Sequence, residues 1–149
     1  IEYLNVDILG MKGKSRVITV PADIQKLWND VRVILRNPVI ARYELKEDIQ
    51  LGKKAGITAL CEYSLLSDNE YPTYAITKKE ITESGIRKMK QVHSGEEIGC
   101  VVLELGYFID FKNKKLEDPL SVTLSLTESE KQDERIGISI KRMLEEYVW

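Results

Sequence analysis

The longest nearly unbroken apolar run in the chain, Gly99 to Phe111, reads Gly-Cys-Val-Val-Leu-Glu-Leu-Gly-Tyr-Phe-Ile-Asp-Phe. A run of this kind, closed at both ends by polar segments, predicts a strand covered on both faces, near the middle of a sheet. Its two charges, Glu104 and Asp110, are six residues apart and would share one face of such a strand. At a rise of roughly 3.3 Å per residue they would stand about 20 Å apart, too far to share one ion. On this reading the run organises the core, and Asp110 marks its exit into a basic loop, Lys112-Asn113-Lys114-Lys115.

The rest of the chain supplies partners for that strand. Leu4, Val6 and Ile8 alternate with Asn5 and Asp7, Gly10 to Gly13 reads as a turn, and Arg16 to Val20 returns before Pro21, so a hairpin is expected. Asp23 then caps a helix whose stripe is Ile24, Leu27, Trp28, Val31, Ile34 and Leu35, closed by Asn37-Pro38. A strand follows from Val39 to Lys46, a polar loop to Lys54, and a helix from about Ala55 to Leu66. Further strands are expected over Thr73 to Thr77 and Lys88 to Val92, while Lys78 to Gly85 fits either a helical turn or a longer strand. Asp118-Pro119 is a helix start, with an acceptor at the cap and proline at the first helical position. After a polar link, Thr127 to Gln132, Asp133 caps a last helix carrying Ile136, Ile140, Met143, Leu144 and Tyr147. The expected class is α+β: a mixed, mainly antiparallel sheet with three to four helices packed on it, in one domain over residues 1–149.

Composition removes several functions. With 22 basic against 24 acidic residues the net charge is −2, so nothing draws the whole chain to phosphate, and nucleic-acid contact would need a local patch. No apolar run approaches the roughly 20 residues of a membrane span, and no signal core is present, which predicts no membrane and a cytoplasmic location. Two cysteines, Cys61 and Cys100, and one histidine, His93, are too few for a Cys/His zinc site. The cysteines read as buried thiols, and His93, followed by Ser94-Gly95, as an exposed turn residue rather than a triad member.

A metal-dependent nuclease pairs an acidic residue with a following Asp/Glu-x-Lys, because carboxylates hold the metal and the lysine steadies water or phosphate. Glu44-Leu45-Lys46 and Asp110-Phe111-Lys112 match, with Asp30 and Glu97 as possible partners, but a chain this rich in both residue types carries such triplets by chance. No glycine-rich phosphate loop occurs. The candidate contacts to nucleic acid or a partner are Lys112, Lys114, Lys115 and Arg42, and the candidate interface residues are the terminal aromatics Tyr147 and Trp149. No residue is assigned a catalytic or metal-ligating role, and no cofactor is expected.

Three blocks together resemble a family of bacterial regulators in which a winged-helix DNA-binding domain precedes a C-terminal α+β domain, as in the AbiEi-type antitoxins of phage-defence systems. They are Leu27 to Val39; Ala55 to Ser67 with the Tyr-Ala-Ile-Thr-Lys-Lys-Glu from Tyr74; and Asp118 to Leu126 with Asp133-Glu134-Arg135-Ile136 and Trp149. Where that family often reads Trp-x-Tyr-Asp near the third block, this chain has Gly-Tyr-Phe-Ile-Asp. The resemblance implies a non-enzymatic effector or interaction domain of a transcriptional regulator, working by protein contact or self-association. It also implies DNA contact through an N-terminal domain absent from these 149 residues, in line with a start at Ile1 rather than methionine. The alternatives are a PD-(D/E)xK-like nuclease and a domain that contacts nucleic acid directly.

Overall fold

The computed structural model describes residues 9–19, 22–67 and 69–149. By its contacts the chain, expected to form one domain, divides into two compact units, Ile1–Arg36 with Trp149 and Asn37–Val148. In the first unit β1 (Leu9–Lys12) pairs antiparallel with β2 (Ser15–Ile18), Leu9 opposite Ile18 and Lys12 opposite Ser15. The hairpin turn is thus Gly13-Lys14 rather than Gly10 to Gly13, and the expected strand residues Leu4, Val6 and Ile8 lie outside the described residues.

Helix α1 (Ile24–Val31) is capped by Asp23, whose side chain accepts the Lys26 N–H at 2.8 Å. It stops at Val31, six residues short of the expected end at Asn37, leaving Val33, Ile34 and Leu35 exposed. The cause is local: β-branched Val31, Val33 and Ile34 lose side-chain freedom in a helix, and a short helix needs buried contacts to offset that. Within α1 only Trp28 is buried.

The second unit holds a four-stranded sheet in the order β3 (Val39–Leu45), β6 (Cys100–Leu105), β5 (Thr73–Thr77), β4 (Lys53–Lys54). Pairs β3/β6 and β4/β5 are antiparallel and β5/β6 is parallel, so the sheet is mixed and mainly antiparallel, as the sequence predicts. Every residue of β6 is buried. One face of the sheet joins Leu45, Tyr74, Ile76, Cys100 and Val102 to Ile81 and Ile86; the other gathers Ala55, Ala75, Val101, Leu103 and Leu105. Gly99 opens the run because a Cβ there would run into the Lys46 backbone carbonyl.

Six α-helices occur among the described residues, more than the three to four expected: α1, α2 (Gly56–Tyr63), α3 (Lys78–Ser84), α4 (Pro119–Ser125), α5 (Glu128–Lys131) and α6 (Glu134–Tyr147). Capping decides the segments that hydrophobic pattern left open. Thr77 and Glu80 form a reciprocal capping box that starts α3 directly after β5, and Gly85, at φ +70°, ends it. A second box, Thr127 with Glu130, turns the expected polar link into α5. The strand expected over Lys88 to Val92 is absent; Ile86–Lys88 is a single 3₁₀ turn, and Gln91 makes one isolated bridge to Leu45.

The largest departure is the central run. Its strand ends at Leu105, so Gly106 to Phe111 is irregular and the strand geometry assumed between Glu104 and Asp110 does not apply. Both neighbours stop at the same level: Val39 of β3 and Thr77 of β5 each pair with Leu105. Beyond Val39 lies Pro38, which only accepts from Gly106 N–H through its carbonyl at 2.9 Å, and Thr77 is itself the cap from which α3 departs. A further strand residue would have no ladder to join.

Candidate functional site

Release of the second half of the run brings it beside the lysines. In the β4 edge, Lys54 N–H donates to the Lys115 carbonyl at 2.9 Å, Glu117 N–H donates to the Lys54 carbonyl at 2.8 Å, and Lys54 bridges Leu116 in parallel. Lys53-Lys54 and Lys112 to Lys115, separate in sequence, therefore share one sheet edge. Lys112, Lys114 and Lys115 are exposed, and Lys54 forms an ion pair with Glu62. The Lys53 ammonium stands 5.1 Å from the centre of the Phe108 ring. Tyr107 and Ile109 of the released segment are 44% and 41% exposed.

Behind this edge sits Glu117, 1% exposed. The residue before helix α2, Ala55, offers no side-chain cap, and Glu117 performs that task from 61 residues beyond Gly56: its Oε2 accepts the Gly56 N–H at 3.1 Å. Ser125 Oγ donates to the same oxygen at 3.4 Å, and Tyr63 Oη donates to the Glu117 carbonyl at 2.9 Å. Oε1 is buried without a partner among the described residues. Burial pushes the carboxyl up to about 7; the Gly56 and Ser125 hydrogen bonds and the Lys53 charge pull the other way, while Asp118 adds to the rise. The Tyr63 phenol is pushed up to about 12 by burial and then by Asp118, Glu117 and Tyr147. Tyr107 is raised by partial burial and by the same two carboxyls. Glu117 thus joins α2, α4 and the loop strands as a buried structural acid.

Arg42 does not join the lysines. It lies on β3, at the opposite edge of the sheet from β4 and about 14 Å away across three strand spacings. Its guanidinium binds Glu44 at 3.2 Å and Tyr71 Oη at 3.1 Å, beside a small cleft of about 100 Å³ that also touches Thr73, Leu103 and Ser125. Tyr147 packs edge-on against Tyr63 with ring centres 5.0 Å apart, and Trp149 closes the chain half-buried. The triplets of the nuclease pattern are dispersed: Glu44 binds Arg42, Lys46 pairs with Glu96 at 2.8 Å, and Asp110 and Lys112 stand exposed in the loop. Among the described residues no three His, Cys, Asp or Glu side chains gather closely enough to hold a metal ion. His93 is exposed in its turn. Glu104 is buried and accepts from Tyr43 Oη at 3.1 Å and from Arg87 at 3.5 Å.

A second surface joins the end of α2 to α6. Leu65, 86% exposed, and Ile138, 59% exposed, border a shallow groove of about 400 Å³ with Leu66, Ser139, Arg135 and Arg142. Arg135 is held by Asp133 at 2.8 Å; Arg142, two turns further along the same side of α6, makes no ion pair among the described residues. Sequence pattern alone did not single out Glu117, Tyr107 or this groove. Gly106 inside the apolar run and an acid directly before the Asp118-Pro119 cap were the available signals. Among the described residues no helix is long and apolar enough to cross a membrane.

Comparison with protein-family models, with curated proteins and with solved structures gives no match to this chain.

Proposed function

We propose that this chain is a non-enzymatic interaction domain of a transcriptional regulator, as the resemblance to antitoxin-type regulators implies, and that it works by protein contact. The observation that carries the reading is the groove between α2 and α6. Leu65 and Ile138 present apolar side chains to solvent where the fold has no use for them, and Arg142 leaves its charge uncompensated at the rim. An apolar floor beside arginine is the composition of a contact hot spot rather than of ordinary surface. The occupant it fits is an acidic amphipathic segment of a partner protein, its apolar residues on Leu65 and Ile138 and a carboxylate on Arg142. In an isologous dimer the same patch meets itself, so Arg135 and Arg142 would face the same two arginines. The geometry lends the nuclease alternative no support, since the most perturbed acid, Glu117, is buried and used as a helix cap.

The test uses the full-length protein encoded with these residues, in a promoter-reporter assay. Leu65→Asp and Ile138→Asp should leave the melting temperature of the 149-residue chain nearly unchanged, because both side chains are exposed. Each should relieve regulation roughly tenfold or more, the scale of losing one hot-spot contact. Unchanged regulation by both folded variants would sink the reading, and so would a coding region upstream of Ile1 with no DNA-binding domain. Concentration-dependent dimerisation abolished by the same substitutions would replace the acidic partner with a second copy.

A further inference from the structure

We propose that the β4 edge is a contact site for the backbone of single-stranded nucleic acid, with Tyr107 as a stacking platform for one base. This inference is independent of the α2/α6 groove. The chain as a whole is acidic, at −2, yet five of its lysines, Lys53, Lys54, Lys112, Lys114 and Lys115, meet at one edge through the Lys54–Lys115 hydrogen bond and the Lys54–Leu116 bridge. Facing carboxylates offset only part of this charge. Glu62 is taken by Lys54, Asp110 stands in the loop, and Glu117 and Asp118 are buried behind the edge. Lys112, Lys114 and Lys115 keep their ammonium groups free of ion pairs among the described residues, available to three successive phosphates.

The aromatic neighbour decides which nucleic acid. Lysines alone suit any phosphate backbone, but Tyr107, 44% exposed and five residues before Lys112, offers a ring that only an unstacked base can cover. In a duplex the bases are stacked on one another, and a single surface tyrosine has no face to meet. Phe108 is turned under Lys53 instead, where it holds that ammonium over its ring. A membrane surface is the competing ligand for lysines beside Tyr107 and Ile109, but Ile109 is the only exposed large aliphatic in the loop, too little apolar area for anchoring.

Fluorescence anisotropy of a labelled oligothymidylate of about 12 nucleotides, long enough for one such site, titrated with the 149-residue chain tests this directly. Three neutralised phosphates give a log–log salt slope of about −2, so raising salt from about 50 to 200 mM should weaken binding roughly twentyfold. The triple substitution Lys112→Glu, Lys114→Glu, Lys115→Glu should abolish binding with the circular dichroism spectrum unchanged. Tyr107→Ala should weaken it roughly fivefold or more, and Tyr107→Phe should leave it intact, since the ring and not the hydroxyl does the stacking. Three outcomes overturn the proposal: no binding at about 50 mM salt, binding that the triple substitution leaves unaltered, or tighter binding to the matched duplex. Binding to phosphatidylserine vesicles but not to the oligonucleotide overturns it in favour of a membrane surface.

Discussion

The apolar run from Gly99 to Phe111 contains two regions of similar composition and opposite fate. Cys100–Leu105 is the fully buried interior strand of the sheet; Gly106 to Phe111 leaves the sheet and shows Tyr107 and Ile109 to solvent. Hydropathy does not separate them. What does is the length of their neighbours, since β3 begins at Val39 and β5 ends at Thr77, both level with Leu105. A strand extends as far as it has a ladder to pair with, and the apolar residues beyond that point become surface. That surplus is what places an aromatic residue beside the basic loop.

The sharpest way to break the comparison is to make the same kind of deletion on each side of Leu105. Leu103→Ala removes a side chain only 4% exposed and should cost about 2–5 kcal/mol, the range for a buried leucine that leaves a cavity. Ile109→Ala, at 41% exposure, should stay within about 0.5–1 kcal/mol. Urea denaturation of both variants measures the pair. Equal losses would mean that the two halves share one core after all.

Next in size is the buried acid behind the released half. Unfolded, the Glu117 carboxyl titrates near 4.5, and folded at about 7, so between those values the folded chain holds one more proton than the unfolded chain. Its contribution to stability is therefore fully present below about pH 4.5, declines through the window, and is level above about 7. The total fall is about 3–4 kcal/mol at roughly 1.4 kcal/mol per pH unit. Glu117→Gln should flatten this part of the stability profile measured by denaturation from pH 4 to 8. An unchanged slope in that variant would assign the titration to another group.

These two regions also show what the sequence makes legible. The strand Thr73–Thr77, the proline start of α4 at Asp118-Pro119 and the Asp133 cap of α6 are all readable, because each is fixed by residues within four positions. The α+β class and mixed sheet follow from the same local signals. The end of β6 is not local: it depends on Pro38 and Thr77, 67 and 28 residues before Leu105. For the candidate site, the two lysine groups are visible as charge runs, but their meeting rests on Lys54 pairing beside Leu116 across 62 positions. Glu117 was missed for a related reason. A glutamate beside an aspartate cap reads as surface until the helix lacking its own cap, α2, is brought against it.

A smaller effect tests one of the two neighbours that end the strand. Thr77 caps α3 through Oγ1, which accepts the Glu80 N–H, while Glu80 returns a bond from the Thr77 N–H at 2.7 Å. Thr77→Ala should cost about 1 kcal/mol, the usual loss for a helix cap, read by thermal denaturation. Amide hydrogen exchange across β6 should be little altered. If instead protection spreads past Leu105, the cap alone is what keeps β5 short.

The smallest expected effect is at Gly106, and it separates two explanations of where the strand stops. If glycine ended it by flexibility, Gly106→Ala should lengthen the ordered ladder and slow exchange at Tyr107 and Phe108. If missing partners end it, the substitution should change little. A Cβ at Gly106 would stand 3.1 Å from Ile40 Cδ1, a tight contact, but Ile40 is 63% exposed and its side chain can turn aside. The backbone there is not in the positive-φ region, so alanine fits and slightly restricts the unfolded chain, a gain of about 0.4–1 kcal/mol that offsets the crowding. The net change should therefore lie within about 0.5 kcal/mol, with exchange at Tyr107 and Phe108 still fast. Slow exchange at those two amides would show that the boundary at Leu105 is set by the glycine and not by Pro38 and Thr77.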